Sequence, residues 1–383
     1  MTSFTVLVSF ILMTLLSAHA RFTSKSQAHD YPFYSKSDWL GLPGTDVHPL
    51  HLPAPYVVIH HTYIPAACYT VQDCSSKMRG MQNYHNGLGW GDIGYHFCVG
   101  SEGGAYEGRG WDTEGIHATI ANKHSIGICL IGDWRLESPT PEQLETTKAI
   151  IAEGVKLGKI SRNYKLVGHD QVSATECPGP ALTAEFSTWP NYAPGKPNFD
   201  SITMRPFPFY DKSEWLGLPG TEVEPLHTPV PYVVIHHTYI PAACYTVEDC
   251  SAKMRAMQGY HNSLGWGDIG YHFCVGSEGG AYEGRGWNTQ GIHASLANKY
   301  SVGICLIGDW RVETPPKKQL EVVQALIAEG VAKGKISPNY RLIGHNQVSA
   351  TECPGPALTK EFATWDNYVP GMQQFPENDI DWL

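Results

Sequence analysis

The residues with the clearest chemical potential are a histidine and a cysteine eight positions apart, His169 and Cys177. A catalytic zinc ion takes three protein ligands of nitrogen, sulfur or oxygen type and keeps a fourth position for water. The loop between these residues is long enough to bring both side chains to one ion. We expect the third ligand from a neighbouring strand that ends in His60 and His61. Because adjacent strand residues point to opposite faces, only one of these two can reach the ion.

The cysteine count also favours a metal site. The ten cysteines form two sets of five, so they cannot all pair within one set. Cys98 and Cys129 lie within predicted strands, where pairing and simple burial are both consistent with the sequence. Cys177 is left over, and metal ligation explains it naturally. The pairs close enough for a small-loop disulfide in an oxidising compartment are Cys68 with Cys74 and Cys244 with Cys250.

For a single histidine, the alternative role is that of a hydrogen-bonded core or groove residue, which is the commoner one. Three candidate ligands in each half of the chain, one of them an unpaired cysteine, favour the metal instead. A closed structural zinc site is a further alternative, and it would need a fourth protein ligand in place of water.

One domain is written twice in this sequence, at a constant offset of 176 residues. The segment at 32–44, for example, recurs at 208–220. A period this long indicates whole domains and not the units of a solenoid. We predict domains at 32–192 and 208–370, a linker at 193–207 and a C-terminal tail at 371–383.

Within each copy, short β-branched or aromatic runs alternate with helical segments. In the first copy we predict strands at 56–61, 95–99 and 126–131, and helices at 71–85 and 140–157. The second helix opens with Thr140 in capping-box spacing, whereas the second copy has Pro316 there. The alternation predicts an α/β fold in which a central mixed β-sheet is covered by helices.

The bulk properties restrict the partners and the compartment. A formal net charge of -10 over 383 residues argues against nucleic acid or an anionic membrane surface as a partner. Residues 1–20 contain an apolar run followed by Ala18-His19-Ala20, which predicts a secretory signal peptide. The alternative is an uncleaved anchor, because no Lys or Arg precedes the run. No later apolar segment is long enough to cross a bilayer, so we expect a secreted, extracellular protein.

Four ordered motifs then carry a resemblance. They are VIHHT at 58–62, WGDIGYHF at 90–97, YEGRGW at 106–111 and the segment from Gly168-His169 to TECPGP at 175–180. Together they resemble the peptidoglycan recognition proteins, which are related to phage amidase-type lysozymes. The resemblance implies a zinc-dependent N-acetylmuramoyl-L-alanine amidase of innate immune defence, with one zinc ion per domain. Its substrate would be bacterial peptidoglycan, cut at the lactyl-amide bond between N-acetylmuramic acid and L-alanine.

The same resemblance assigns the metal ligands and the residues that stabilise charge on the carbonyl oxygen. Members that bind without cutting typically lack the cysteine, and both copies retain it, which favours catalysis. The implied zinc ligands are His60, His169 and Cys177, with His236, His345 and Cys353 in the second copy. The implied stabilising residues are Tyr95 and Thr175, with Tyr271 and Thr351. The phage relatives carry Lys at the Thr175 position, and Tyr95 could instead be a plain sheet aromatic.

The resemblance also predicts a preference among stem peptides. A Gly-Trp pair and an arginine go with meso-diaminopimelic acid in this family, and a guanidinium can hold its extra carboxylate bidentately. The alternative is an arginine that is only a solvated surface charge. The matching residues are Gly89, Trp90 and Arg109, with Gly265, Trp266 and Arg285. Further groove candidates are His61, His85, Trp111, His117 and Asn122, with His237, Trp287, His293 and Asn298.

The competing function is a non-catalytic bivalent receptor or opsonin, in which two linked sites on a polymeric cell wall raise the avidity.

Overall fold

The computed structural model describes residues 29–45, 47–199, 205–221 and 224–375. The predicted signal peptide and most of the predicted C-terminal tail lie outside these residues. In the first repeat the strands are β1 (Phe33–Tyr34), β2 (Ala54–His61), β3 (Phe97–Val99), β4 (Ala105–Glu107), β5 (Ser125–Leu130) and β6 (Ile160–Gly168). The helices of this repeat are α1 (Val71–Gly87), α2 (Pro141–Lys156), α3 (His169–Val172) and α4 (Pro180–Phe186), with a 3-10 turn at Asn122–His124.

The second repeat follows the same order. Its strands are β7 (Phe209–Tyr210), β8 (Val230–His237), β9 (Phe273–Val275), β10 (Ala281–Glu283), β11 (Ser301–Leu306) and β12 (Ile336–Gly344). Its helices are α5 (Val247–Ser263), α6 (Lys317–Ala332) and α7 (Pro356–Phe362), with a 3-10 turn at His345–Gln347.

Each repeat contains one six-stranded mixed sheet. The first has the order β1-β4-β3-β5-β2-β6, and the second repeats it as β7-β10-β9-β11-β8-β12. Strands β3 and β4 are antiparallel, whereas the other neighbours in the first sheet are parallel. The predicted α/β fold with a mixed sheet covered by helices is therefore confirmed. The predicted strand at 95–99 is shorter than expected, since β3 begins at Phe97.

The two faces of the first sheet bury different sets of side chains. Val57 and Ile59 point towards α2 and α4, where they pack with Ile150 and Phe186. Alternate residues of β2 point to the opposite face, so Val58 lies in a separate buried cluster there. His60 follows Val58 on that same face, which places an imidazole within the apolar interior and not at the surface.

The start of the long helix shows that packing can replace a cap. In the first repeat the Thr140 hydroxyl accepts a hydrogen bond from the Gln143 amide at 3.2 Å, as the sequence predicts. In the second repeat Pro316 offers no such side chain, yet α6 begins at the equivalent residue, Lys317. Most helical stability in proteins comes from burying an apolar face, and the buried face of α6 supplies it.

Two disulfides occur in each described repeat, and one cysteine of each repeat is free. The bonded pairs are Cys68–Cys74, Cys98–Cys129, Cys244–Cys250 and Cys274–Cys305. The parallel register of β3 and β5 places Cys98 directly opposite Cys129, with their Cα atoms 4.5 Å apart. This register decides between the pairing and the simple burial that the sequence left open. The free cysteines are Cys177 and Cys353.

The described part of the segment predicted as a linker packs against the two repeats. The Phe199 ring lies 4.9 Å from the Tyr56 ring of the first repeat. Arg205 forms a 2.9 Å ion pair with Glu329 of the second repeat, and its guanidinium lies 3.6 Å from the centre of the Phe209 ring. The described parts of this segment therefore make contacts with both repeats.

Candidate metal centre and groove

Two adjacent parallel strands bring the candidate metal ligands together. β2 and β6 are neighbours in the sheet and end at the same edge. His60 lies at the end of β2, and His169 is the residue that follows β6. Cys177 comes from the loop before α4, and its Sγ lies 3.9 Å from His60 Nδ1. One ligand atom from each of the three residues lies within 4.8 Å of the other two.

The second repeat has the same arrangement. Its cysteine, Cys353, has its Sγ 3.8 Å from His236 Nδ1. The His236 and His345 ring centres are 4.6 Å apart, against 4.4 Å for His60 and His169.

This donor set fits zinc. Two imidazole nitrogens and one thiolate are ordinary zinc ligands, and bonds of about 2.0 to 2.3 Å hold such atoms roughly 3 to 4 Å apart. Two other clusters in the described residues combine cysteines with a carboxylate, Glu102 or Glu278. Their cysteines are the disulfide-bonded pairs Cys68–Cys74 and Cys244–Cys250, so those sulfurs are not available as thiolates.

Burial sets the protonation of the three groups. It lowers the pKa of His60 well below the usual value and the pKa of His169 to about 4. Both imidazoles are therefore neutral near pH 7, which is the form that binds metals. Burial raises the pKa of the Cys177 thiol to about 12. The thiol is then protonated unless a cation lies beside it.

A chain of hydrogen bonds fixes the orientation of His60 from behind. Its Nε2 lies 2.9 Å from His117 Nδ1, and His117 Nε2 lies 3.4 Å from Ser125 Oγ. The Ser125 hydroxyl donates to the Ala121 carbonyl at 2.7 Å, so its oxygen is left to accept from His117. His117 Nδ1 must then accept from the Nε2–H of His60. The Nδ1 lone pair of His60 is thereby directed towards Cys177.

This chain of hydrogen bonds places His117 behind His60, which differs from the groove role predicted for it. His117 is 8% exposed, and both ring nitrogens have partners inside the protein. In the second repeat the chain runs through His236, His293, Ser301 and Ala297, with separations of 3.0, 3.4 and 2.7 Å.

The residues predicted to stabilise charge lie next to the ligands. The Tyr95 ring centre is 5.1 Å from that of His60. Burial raises the pKa of the Tyr95 phenol, which therefore stays protonated and can donate a hydrogen bond. Thr175 Oγ1 accepts from the Cys177 amide at 3.2 Å. In the second repeat a cleft of about 430 Å³ is lined by residues that include Tyr271, His345, Thr351 and Cys353.

A row of rings continues from the ligands through Tyr95 and His85 to Trp90. The His85 ring centre lies 6.0 Å from that of Tyr95 and 4.5 Å from that of Trp90, with the His85 and Trp90 planes tilted by 31°. Burial lowers the pKa of His85 to about 4, and its Nδ1 accepts from the Gly94 amide at 3.2 Å. Gly89 begins the turn that presents Trp90, and its φ of 82° suits glycine.

Arg109 is held under this turn. It is 7% exposed, which excludes the alternative of a solvated surface charge. Its guanidinium donates to the backbone carbonyls of Ile93 at 2.8 Å, Glu114 at 3.2 Å and Trp90 at 2.7 Å. Arg285 is equally buried and bonds the equivalent carbonyls. The arginine therefore fixes the loop that carries the tryptophan.

Comparison with known proteins identifies the chain. The family model described as N-acetylmuramoyl-L-alanine amidase matches residues 51–180 and 226–356. Human peptidoglycan recognition protein 3 is 33% identical over 347 residues, which cover 89% of this chain and 95% of the relative. The chain belongs to the peptidoglycan recognition protein family. Peptidoglycan-recognition protein LB of Drosophila melanogaster is 50% identical over 159 residues, 41% of this chain and 68% of the relative.

A solved structure of a related protein, Drosophila PGRP-LB, shares 49% sequence identity with this chain. The match covers 42% of this chain and 95% of the solved chain, with a TM-score of 0.42. Within the described residues of this family member, no helix has the length and apolar character needed to cross a membrane.

Two groove candidates of this peptidoglycan recognition protein lie elsewhere. The Trp111 ring packs 4.4 Å from Phe97, on the sheet face that α2 covers and away from His60. Trp287 packs equally against Phe273. These positions do not support the predicted contact with ligand. Asn122 accepts from the His117 and Ala118 amides at 2.9 and 2.8 Å, so it shapes a loop, as Asn298 does in the second repeat.

His61 and a nearby ion pair form the other side of the site. His61 is 5% exposed, and its Nδ1 accepts from the Trp134 amide at 3.2 Å. Sequence reasoning missed Arg135, which bonds both oxygens of Asp133 at 2.9 and 2.8 Å and lies 4.6 Å from the Tyr63 ring centre. Its counterpart Arg311 lines the second cleft. An Asp-x-Arg spacing just after a buried strand was the available signal.

Proposed function

We propose that this protein is a secreted zinc-dependent N-acetylmuramoyl-L-alanine amidase with one zinc ion in each repeat. It binds bacterial peptidoglycan or muropeptides and hydrolyses the lactyl-amide bond between N-acetylmuramic acid and L-alanine. The observation that carries the proposal is the convergence of His60, His169 and Cys177, repeated by His236, His345 and Cys353. Membership of a family whose model is described as an amidase supports it.

The ligand set favours catalysis over a closed structural site. In the described residues, each cluster contains two histidines and one cysteine without a fourth histidine, cysteine or carboxylate. Three protein ligands leave one position for water, as catalytic zinc sites require. A bound zinc ion supplies hydroxide near neutral pH and polarises the amide carbonyl.

The residues of the chain then have distinct roles in this reaction. His117 holds His60 so that its Nδ1 faces Cys177, where the two side chains would hold the ion. The Tyr95 phenol donates a hydrogen bond to the carbonyl oxygen as negative charge develops there. The Thr175 hydroxyl, next to Cys177, serves the same oxygen. The substrate chain lies along the row from Tyr95 to Trp90, which offers stacking rings to a glycan-peptide.

The predicted preference is for diaminopimelate-type peptidoglycan. It rests on Gly89, Trp90 and Arg109, and on Gly265, Trp266 and Arg285 in the second repeat. The innate-immune role and the extracellular location belong to the same proposal. Four disulfides in the described residues suit an oxidising compartment.

The test combines metal analysis with digestion of purified peptidoglycan. The wild-type chain is expected to hold two zinc ions and to release free stem peptides. Cys177→Ser and Cys353→Ser should each remove one zinc ion, and the double variant should release no peptide while still binding cell walls. Each single variant is the matched control for the other, because it leaves the second site intact. Zinc binding without peptide release by the wild type would overturn the amidase proposal and leave a bivalent receptor.

A further inference from the structure

We propose that an interface at the junction of the two repeats, here called the lock, fixes their relative orientation. The interface occurs only at this junction, and it keeps the two grooves at a constant separation and orientation. The lock lies between the first residues of β6 and the loop that follows β7. β6 is the edge strand of the first sheet. The inference does not depend on the amidase proposal, since it concerns the joint between the repeats.

The centre of the lock is the carboxylate of Glu214, in the loop after β7. The backbone N–H of Arg162 donates to one of its oxygens at 2.7 Å, and the Ser161 hydroxyl donates to the other. Beside them, Asn163 Nδ2 donates to Ser213 Oγ at 2.5 Å. Three consecutive residues of one repeat thus bind two consecutive residues of the other.

A close apolar contact accompanies the polar ones. Gly158 has a φ of 66° and is buried against Val247, at the start of α5. A Cβ atom on Gly158 would lie 2.8 Å from the Val247 methyl carbons, so the approach requires glycine. On a third side, the His51 ring nitrogen lies 3.2 Å from the Arg205 carbonyl oxygen.

Comparison of the repeats shows that the polar contact is particular to the junction. The residue equivalent to Glu214 is Asp38, which is exposed and accepts from the amide and hydroxyl of Ser35 in its own loop. The residue equivalent to Arg162 is Pro338, which has no N–H to donate. The amide donor of Arg162 and the longer acid Glu214 are therefore particular to the junction. The other contacting residues, Ser161, Asn163 and Ser213, have identical equivalents in the other repeat.

The apolar contact differs between the repeats in the same way. Val71, the equivalent of Val247, is 40% exposed, whereas Val247 is half-buried. Gly334, the equivalent of Gly158, is exposed and would have nothing within 4 Å of an added Cβ. Equivalent positions are therefore covered at the junction and open at the outer ends of the protein.

The lock leaves both candidate metal centres accessible. Ser161 lies near the start of β6 and His169 directly follows its end, so eight residues of extended chain separate them by roughly 25 Å. None of the locking residues belongs to either ligand cluster. Two open grooves at a fixed separation lose less entropy when they bind a cross-linked lattice than two sites on a flexible tether.

The test uses the full chain and matched variants of the two repeats. Glu214→Ala and Val247→Glu break the lock, whereas Asp38→Ala and Val71→Glu change the equivalent positions that take no part in it. Arg162→Pro removes the amide donor with a residue that β12 already accommodates at Pro338. Hydrogen exchange at residues 161–163 and small-angle X-ray scattering report on the joint. The near-ultraviolet circular dichroism spectrum verifies that each variant is folded.

We expect Glu214→Ala and Val247→Glu to exchange about tenfold faster at residues 161–163, and Arg162→Pro to do so at Ser161 and Asn163, which keep their amide hydrogens. All three junction variants should show a larger radius of gyration. The two controls should match the wild type in both measurements. Folded Glu214→Ala and Arg162→Pro chains that keep the exchange rate and radius of the wild type would overturn the lock. Faster exchange with an unchanged radius would also overturn it, because the repeats would then be held by other contacts.

Discussion

Nε2 of His60 lies 2.9 Å from Nδ1 of His117, on the side of His60 opposite Cys177. Burial and the mutual repulsion of the imidazoles lower the pKa of His60, and burial lowers that of His117, well below the usual range. Both rings are therefore neutral, and a single proton lies between them. A histidine can bind a metal through either ring nitrogen. Because Nε2 of His60 is hydrogen-bonded to His117, His60 presents Nδ1.

Loss of this partner should weaken zinc binding. In a Cys353→Ser background, where only the first site remains, His117→Ala is expected to lower the zinc affinity about 10- to 100-fold, because His60 is no longer oriented. Competition with a chromogenic chelator measures the affinity directly. Ser125→Ala, one bond further along the chain, should have a smaller effect. Equal affinities for His117→Ala and its parent would show that His117 does not position the ligand.

Tyr95 should affect the reaction and not the metal. Tyr95→Phe removes only the phenolic donor, so zinc content is expected to be unchanged while kcat falls by roughly 10²- to 10³-fold, the usual cost of one such donor. Turnover of a soluble muropeptide in the Cys353→Ser background measures the effect. A large rise in KM with kcat unchanged would instead assign Tyr95 to ligand binding.

Arg109 should contribute to both the stability and the ligand preference. Replacing Arg109 and Arg285 with Met leaves three carbonyls without their donor in each repeat, and we expect a loss of roughly 2 to 4 kcal/mol in the free energy of unfolding. Urea denaturation measures this loss. Binding to diaminopimelate-type muropeptide should weaken more than binding to lysine-type muropeptide. Equal weakening for both ligands would argue against recognition of the extra carboxylate.

Buried neutral histidines should make the fold sensitive to acid. Burial lowers the pKa of His96 and His272 to about 3 in the folded chain. As the pH falls from about 6.5 towards 3, these histidines bind protons in the unfolded chain but not in the folded chain. The free energy of unfolding therefore decreases. Each of the two histidines is expected to lower the free energy of unfolding at pH 5 by roughly 2 kcal/mol relative to pH 8. Denaturant titrations at both values check the expectation, and His96→Gln should reduce the pH dependence.

The family and the α/β fold could be predicted because they depend on local signals. The β-branched and aromatic run at the start of Tyr56–His61 indicates a strand, and a cysteine without a partner at 177 marks an unusual site. The pairing of Cys98 with Cys129 could not be predicted, since it depends on the parallel register of two strands that are distant in sequence. A motif that contains Arg109 and Trp111 also does not reveal on which sheet face each side chain lies.

The position of His117 behind His60 could not be predicted from the sequence either. A histidine in a loop can face the ligand or support another histidine from behind, and only the packing of His60 against it distinguishes the two. The inter-repeat contacts of Glu214 had no periodic signal either. They become visible only when each position is compared with its equivalent in a structure that contains both.

The proline at 338 has a consequence for how molecules of this protein behave when crowded on one polymer. It stands in β12, at the outer edge of the second sheet. Bare sheet edges invite pairing with further chains, and a proline there withdraws a donor that such pairing needs. Molecules that lie side by side are therefore expected to remain separate instead of pairing through this edge into fibres.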